Sequence, residues 1–168
     1  VSLAVLSGIV AAVGTVQINR VAKEDTYMYE INTVAIGQMG SAVEKFQQIR
    51  VNLYRQVFSP TAAVISDSSK RIDEYKKNIS VIRDEYMKTI DTAEDRELVA
   101  NLDKGLGAYF EELESLNSLI RAGKSDAAKD QLINGKAREL AGVVQDTLSK
   151  LVKLNNDLKE LYGKEQEE

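Results

Sequence analysis

Two arginines and a tyrosine carry the clearest chemical signal in this chain. Arg50, Tyr54 and Arg55 fall within IRVNLYR at residues 49–55. A guanidinium presents a planar fork of donors that grips a carboxylate bidentately. Arg50 and Tyr54 are four residues apart, so on a helix they share a face beside Ile49 and Leu53. Counting back from the turns puts Gln131 and Asn134 at the same level on a returning helix. An Arg, a Tyr and two amides at one level make a small anion pocket, between helices or across a dimer interface. The competing reading of the same residues is a solvated or ion-paired helix surface.

Most other chemistry is excluded by composition. The 168 residues contain no Cys and no His, which removes thiolate–imidazole zinc sites, His-ligated haem, cysteine nucleophiles and any triad built on His. Di-iron carboxylate bundles need Glu-x-x-His pairs and fall with them. Gly105 and Gly107 lie inside a helical pattern and form no phosphate loop. The balance of 22 basic and 26 acidic residues, net −4, argues against nucleic acid, which wants a basic face. The doublets Lys70-Arg71 and Lys76-Lys77 read as surface charge. The expectation is a binding protein with no cofactor, no metal and no catalytic residue.

The elements that must position Arg50 are helices. There is one Pro in the chain, and aromatics make up 6%. From Arg20 onward the apolar residues step by threes and fours. In the first run Ala35, Met39, Ala42, Phe46, Ile49 and Leu53 form an a/d seam that ends at Pro60. The second places Ile65, Ile72, Tyr75, Ile79, Ile82, Tyr86 and Ile90 on one face. It stops at Asp91-Thr92, either of which can cap the next helix. The third runs Leu98, Leu102, Leu106, Tyr109, Leu113, Leu116, Ile120 and ends at Gly123, a C′ glycine, after which Ser125 or Asp126 can cap. The fourth runs Ile133, Ala137, Leu140, Val144, Thr147, Leu151, Leu154, Leu158, Leu161, with the Thr147 hydroxyl bonded to its own helix. Short connections make sequential helices antiparallel. The predicted fold is all-α: an up-down-up-down four-helix bundle with long first and fourth helices, spanning about 20–58, 62–90, 95–122 and 124–163. Both chain ends then point towards one surface.

Residues 1–19 carry no charge, and all 48 charged residues lie at or after Arg20. Such a stretch reads as the outer part of a membrane-spanning helix, truncated at its start. A signal-peptide core or the buried start of a soluble helix are the other two readings. If it spans, the surface both ends face is the membrane, and residues 20–168 form the four-helix-bundle domain beyond it.

With the helices in place, the chain resembles the four-helix-bundle ligand-binding domain of bacterial methyl-accepting chemotaxis proteins. The resemblance rests on Ile18-Asn19-Arg20-Val21 after an apolar span and on Gln48-Ile49-Arg50-Val51-Asn52-Leu53 before the first turn. YMKTIDTAEDRE at 86–97 looks like the family's membrane-proximal turn, and LIRAGKSDAA at 119–128 like its distal one. The resemblance implies a periplasmic or extracellular domain of a receptor in the bacterial inner membrane, and a homodimer. It implies a small-molecule ligand, an amino acid or organic acid, bound distally, and a fourth helix that shifts to carry the signal. By match to the family's distal arginine, Arg50 is the first candidate and Arg55 the second. Histidine kinases and cyclases carry the same module. The alternatives are a structural or protein-interaction bundle, and a sensor that reads a partner protein at its distal tip near Phe58–Ala63.

Overall fold

The computed structural model describes residues 33–90 and 92–165. Over these residues the chain forms five helices: α1 (Ala35–Phe58), α2 (Ala62–Tyr86), α3 (Ala93–Arg121), α4 (Ser125–Ile133) and α5 (Lys136–Glu165). There is no strand among the described residues. The architecture is the expected four-helix bundle, with α4 and α5 together forming its fourth rod. Residues 1–19, expected to enter a membrane, and residues 20–32 of the expected first helix lie outside the described residues. No helix among those described is long and apolar enough to cross a membrane.

The turns form where side chains can satisfy the helix ends. Ser59 and Pro60 close α1, and Thr61 caps α2 by accepting from the Val64 N–H at 3.3 Å. Thr92 caps α3, its hydroxyl accepting from the Asp95 N–H at 3.0 Å. Gly123 sits at φ 70°, which glycine adopts without a Cβ clash. Its N–H donates to the Ile120 carbonyl and the Lys124 N–H to that of Leu119, the paired bonds of a Schellman ending. The cap expected at Ser125 or Asp126 is absent. Lys124 holds the cap position without a side-chain bond, and Ser125 is already helical.

Packing follows the apolar seams. All six seam residues of α1 are buried, Phe46, Ile49 and Leu53 completely. The Phe46 ring meets Tyr109 of α3 edge-on at 5.1 Å, joining α1 to α3 through the core. α1 lies along α2 and α5, while α3 lies along α4 and α5. α2 is the least embedded of the long helices: Ser68, Ile72, Ile79 and Tyr86 are its buried residues, and Ile65, Tyr75 and Ile82 are half-buried. Its seam with α3 is bridged by long charged side chains. Arg83 pairs with Asp103, and Lys76 reaches Glu114 at 3.6 Å while lying over the Phe110 ring.

The fourth rod departs from its expected register. It breaks at Asn134-Gly135, where the Asn134 N–H bonds back to Asp130 and α5 starts afresh at Lys136. A Cβ on Gly135 would lie 2.8 Å from the Gln131 carbonyl oxygen, so this position excludes a side chain unless the backbone moves. The break changes the phase of the buried stripe. Leu132 is buried in place of the neighbouring Ile133, which is 40% exposed. Beyond the break the buried residues are Ala137, Ala141, Val144, Thr147, Leu148, Leu151 and Asn155, while Leu140, Leu154 and Leu158 flank them half-buried. Leu161 is 54% exposed. Thr147 does donate to its own helix, at the Val143 carbonyl, 2.9 Å.

Candidate functional site

One end of the bundle gathers polar residues from α1, α3, α4 and α5. On α1, Arg50 is half-buried and its Nη1 donates to Gln47 Oε1 at 2.9 Å. Gln47 in turn donates through its amide to Gln145 on α5. Among the described residues Gln47 is the one hydrogen-bond partner of the Arg50 guanidinium, so the charge faces a neutral amide and keeps most of its donors. Tyr54, one turn on, is 40% exposed and stacks on Phe58 with 5.9 Å between ring centres.

Opposite them, Tyr109 is buried beside Arg50. Burial pushes its phenol well above the ordinary tyrosine range, with the Arg50 cation pulling the other way and Tyr54 adding to the rise. One turn along α3, Glu112 is 7% exposed and accepts from the Gln131 amide of α4, which also donates to Ser115 Oγ at 3.3 Å. Gln131 thus sits in the same distal layer, engaged with α3.

The other two candidates are held elsewhere. Arg55 bonds Asn52 Oδ1 at 3.3 Å and pairs with Asp67 of α2 at 3.4 Å, with about half its side chain exposed. Asn134 is exposed at the end of α4 and donates to Asp130 Oδ1 at 3.0 Å. Arg50 and Tyr54 therefore come together with Tyr109, Gln131 joins Glu112, and Arg55 and Asn134 stand apart.

Sequence reasoning passed over Gln47, Tyr109, Glu112 and Gln145. Gln47 was findable, lying three residues before Arg50 on the same helix face. Glu112 and Gln145 look like ordinary solvated helix polars beside Leu113 and Val144, and only the packing partner distinguishes them.

An opening of about 340 Å³ lies between α2 and α3 over Ile79, Leu106 and Phe110. Its rim cations, Lys76 and Arg83, are already paired with Glu114 and with Asp103 and Asp84. It therefore offers a ligand no uncompensated charge. No group of three or more potential metal ligands occurs among the described residues.

This arrangement of four antiparallel rods agrees with comparison against known proteins. A family model described as a four helix bundle sensory module for signal transduction matches residues 1–168, the whole chain. The chain belongs to that family. A search among curated proteins finds no match.

In this sensory module two tyrosines give the fold a pH signature. Tyr86, at the opposite end from Arg50, is also raised above the usual range, by burial first and by the Asp95 carboxylate it donates to. The unfolded chain releases these protons near pH 10 while the folded chain keeps them. Stability is therefore unaffected by these groups below about pH 10 and falls as the pH rises beyond it. The melting temperature is expected to fall between pH 10 and 11, and Tyr109→Phe to flatten that fall. An equal slope in the variant would show that Tyr109 ionises freely in the folded state.

Proposed function

We propose that this bundle is the extracytoplasmic ligand-sensing domain of a bacterial chemoreceptor. In this reading it works as a homodimer anchored in the inner membrane by flanking helices. It takes a small anion, an organic acid or amino acid, at Arg50, with Tyr54 and Gln131 in the same layer. The observation that carries this is the half-buried Arg50 guanidinium held by a neutral amide. An ion pair would cap its affinity for an incoming anion; Gln47 leaves it available.

The same bond suggests how binding reaches the output. Gln47 links Arg50 to Gln145, so an anion that draws the guanidinium away from Gln47 alters a contact made directly to α5. α5 is the helix that continues towards the chain's exit. A ligand biases such an element only through its differential affinity for two positions, typically 1–3 kcal/mol.

A thermal-shift screen of the chain against amino acids and dicarboxylates tests the reading. A ligand at 100 times its Kd stabilises by about 2.7 kcal/mol, which is roughly 5–10 °C for a domain of this size. A melt that does not move for any of them would refute direct anion sensing.

One observation favours a second reading, a sensor for a partner protein. Val51, Tyr54 and Phe58 are exposed apolar residues close to the distal tip, Tyr54 and Phe58 stacked into one surface. A periplasmic protein docking there would use the tip and leave Arg50 idle.

A further inference from the structure

The end of the bundle opposite Arg50 contains three polar side chains that are almost completely buried: Tyr86 (1% exposed), Asp95 (3%) and Asn155 (2%). They come from the last residue of α2, the first turn of α3 and the second half of α5, and one run of hydrogen bonds joins them. Asn155 Nδ2 donates to the Tyr86 hydroxyl at 2.7 Å, and that hydroxyl donates to Asp95 Oδ1. Each member is also fixed from behind. Asn155 donates to the Leu151 carbonyl of its own helix at 2.8 Å. Asp95 Oδ2 accepts from the Thr92 hydroxyl at 3.0 Å, and the Asp95 N–H donates back to the same hydroxyl, the N-cap bond that starts α3. The Thr89 hydroxyl ties the turn to the Tyr86 carbonyl at 2.9 Å.

We infer that Tyr86, Asp95 and Asn155 form a register lock that holds α5 at one axial position against the α2–α3 turn. The seam of α5 cannot choose a register by itself. Its leucines offer much the same apolar surface after a slip of one turn, and its small residues Ala137 and Ala141 oppose little to sliding. Asn155 removes the ambiguity. A slip of one turn, 5.4 Å, would bring Leu151, Val152, Leu158 or Lys159 to the Tyr86 hydroxyl and leave the Asn155 amide facing apolar side chains. A single buried polar residue in an apolar helix seam selects register in this way, and its burial costs stability.

The lock also limits the motion α5 can make. An axial shift of about 1 Å, at right angles to the 2.7 Å bond, lengthens it only to about 2.9 Å, within hydrogen-bond range. Small shifts therefore leave the network intact, and larger ones have to break it. This bears on the transmission step proposed above but stands on packing alone, so its test needs no ligand.

The chain has no cysteine, so Ser41→Cys on α1 and Glu160→Cys on α5, both exposed positions, accept a spin-label pair whose separation reads the height of α5. Pulsed electron–electron resonance on the full chain is expected to give one narrow distance. Asn155→Leu is expected to keep or raise the melting temperature and to add a second distance population, displaced by up to about 5 Å. Tyr86→Phe, which keeps the ring and removes the shared hydroxyl, is expected to add the same second population, with a lower melting temperature because the buried Asp95 carboxylate loses a donor. It carries the decision if Asn155→Leu fails to fold. One unshifted distance in both variants overturns the lock. So does a second distance in Asn155→Leu that appears only together with a matching loss of melting temperature, which would make the network a source of stability alone.

Discussion

Leu151→Asp is expected to unfold the bundle or to lower its melting temperature by roughly 10–20 °C. Leu151 is completely buried in the stripe where α5 meets α1 and α3. Replacing it removes an apolar side chain whose deletion alone costs about 2–5 kcal/mol. It also places a carboxylate where it must pay several kcal/mol of desolvation or take up a proton. Against a typical total of 5–15 kcal/mol that is a large fraction, and about 2–4 °C is lost per kcal/mol at this size. Leu161→Asp is the control. The heptad count puts both leucines on one seam, yet Leu161 is 54% exposed, and its substitution is expected to stay within about 0.5 kcal/mol. Circular dichroism melts of the two variants check this. Equal losses would restore the uninterrupted seam, and no loss in Leu151→Asp would refute the buried stripe.

That contrast shows where the sequence was legible and where it was not. The first seam, Ala35 to Leu53, is buried residue for residue, because α1 contacts two neighbours along its length and has no interior break. Gly123 and Pro60 marked their turns because each carries a backbone constraint that does not depend on packing. The fourth rod was misread at Asn134-Gly135, since a periodic count cannot see a change of phase when the residues on both sides are apolar. Its true stripe was also disguised, because it contains Ala137, Ala141 and Asn155, while Leu154, Leu158 and Leu161 advertise a neighbouring face. The distal layer was legible in one respect: Arg50 and Tyr54 share a helix face, which local spacing alone dictates. Which of two nearby arginines is available was not legible. That depends on Asp67, twelve residues away on another helix, which pairs with Arg55 and with Arg71.

The availability of those two arginines gives the second large effect. For any acid that registers in the thermal screen, Arg50→Ala is expected to weaken binding about 100-fold, whereas Arg55→Ala leaves it within a factor of about 3. Truncating one partner of a buried, hydrogen-bonded charge pair costs about 2–5 kcal/mol, and 1.4 kcal/mol is tenfold. Arg50 is half-buried with donors to spare, so an anion bound there is shielded from water and its attraction is little screened. Arg55 is already bonded to Asn52 and Asp67 and about half exposed, so an anion would have to displace a carboxylate in a wet setting. Neither substitution should disturb the apo fold by more than about 1 kcal/mol: Arg50 gives up a bond to a neutral amide, and Arg55 an exposed ion pair. Titration calorimetry of the two variants, with their ligand-free melts alongside, separates the possibilities. Loss of binding in Arg55→Ala with Arg50→Ala intact would move the anion to the α1–α2 edge. Loss in Arg50→Ala accompanied by a collapsed apo melt would make Arg50 a structural residue. Loss in Arg50→Ala with the apo melt preserved makes the guanidinium the recognition group, and Gln47–Gln145 becomes the first contact through which α5 responds to occupancy.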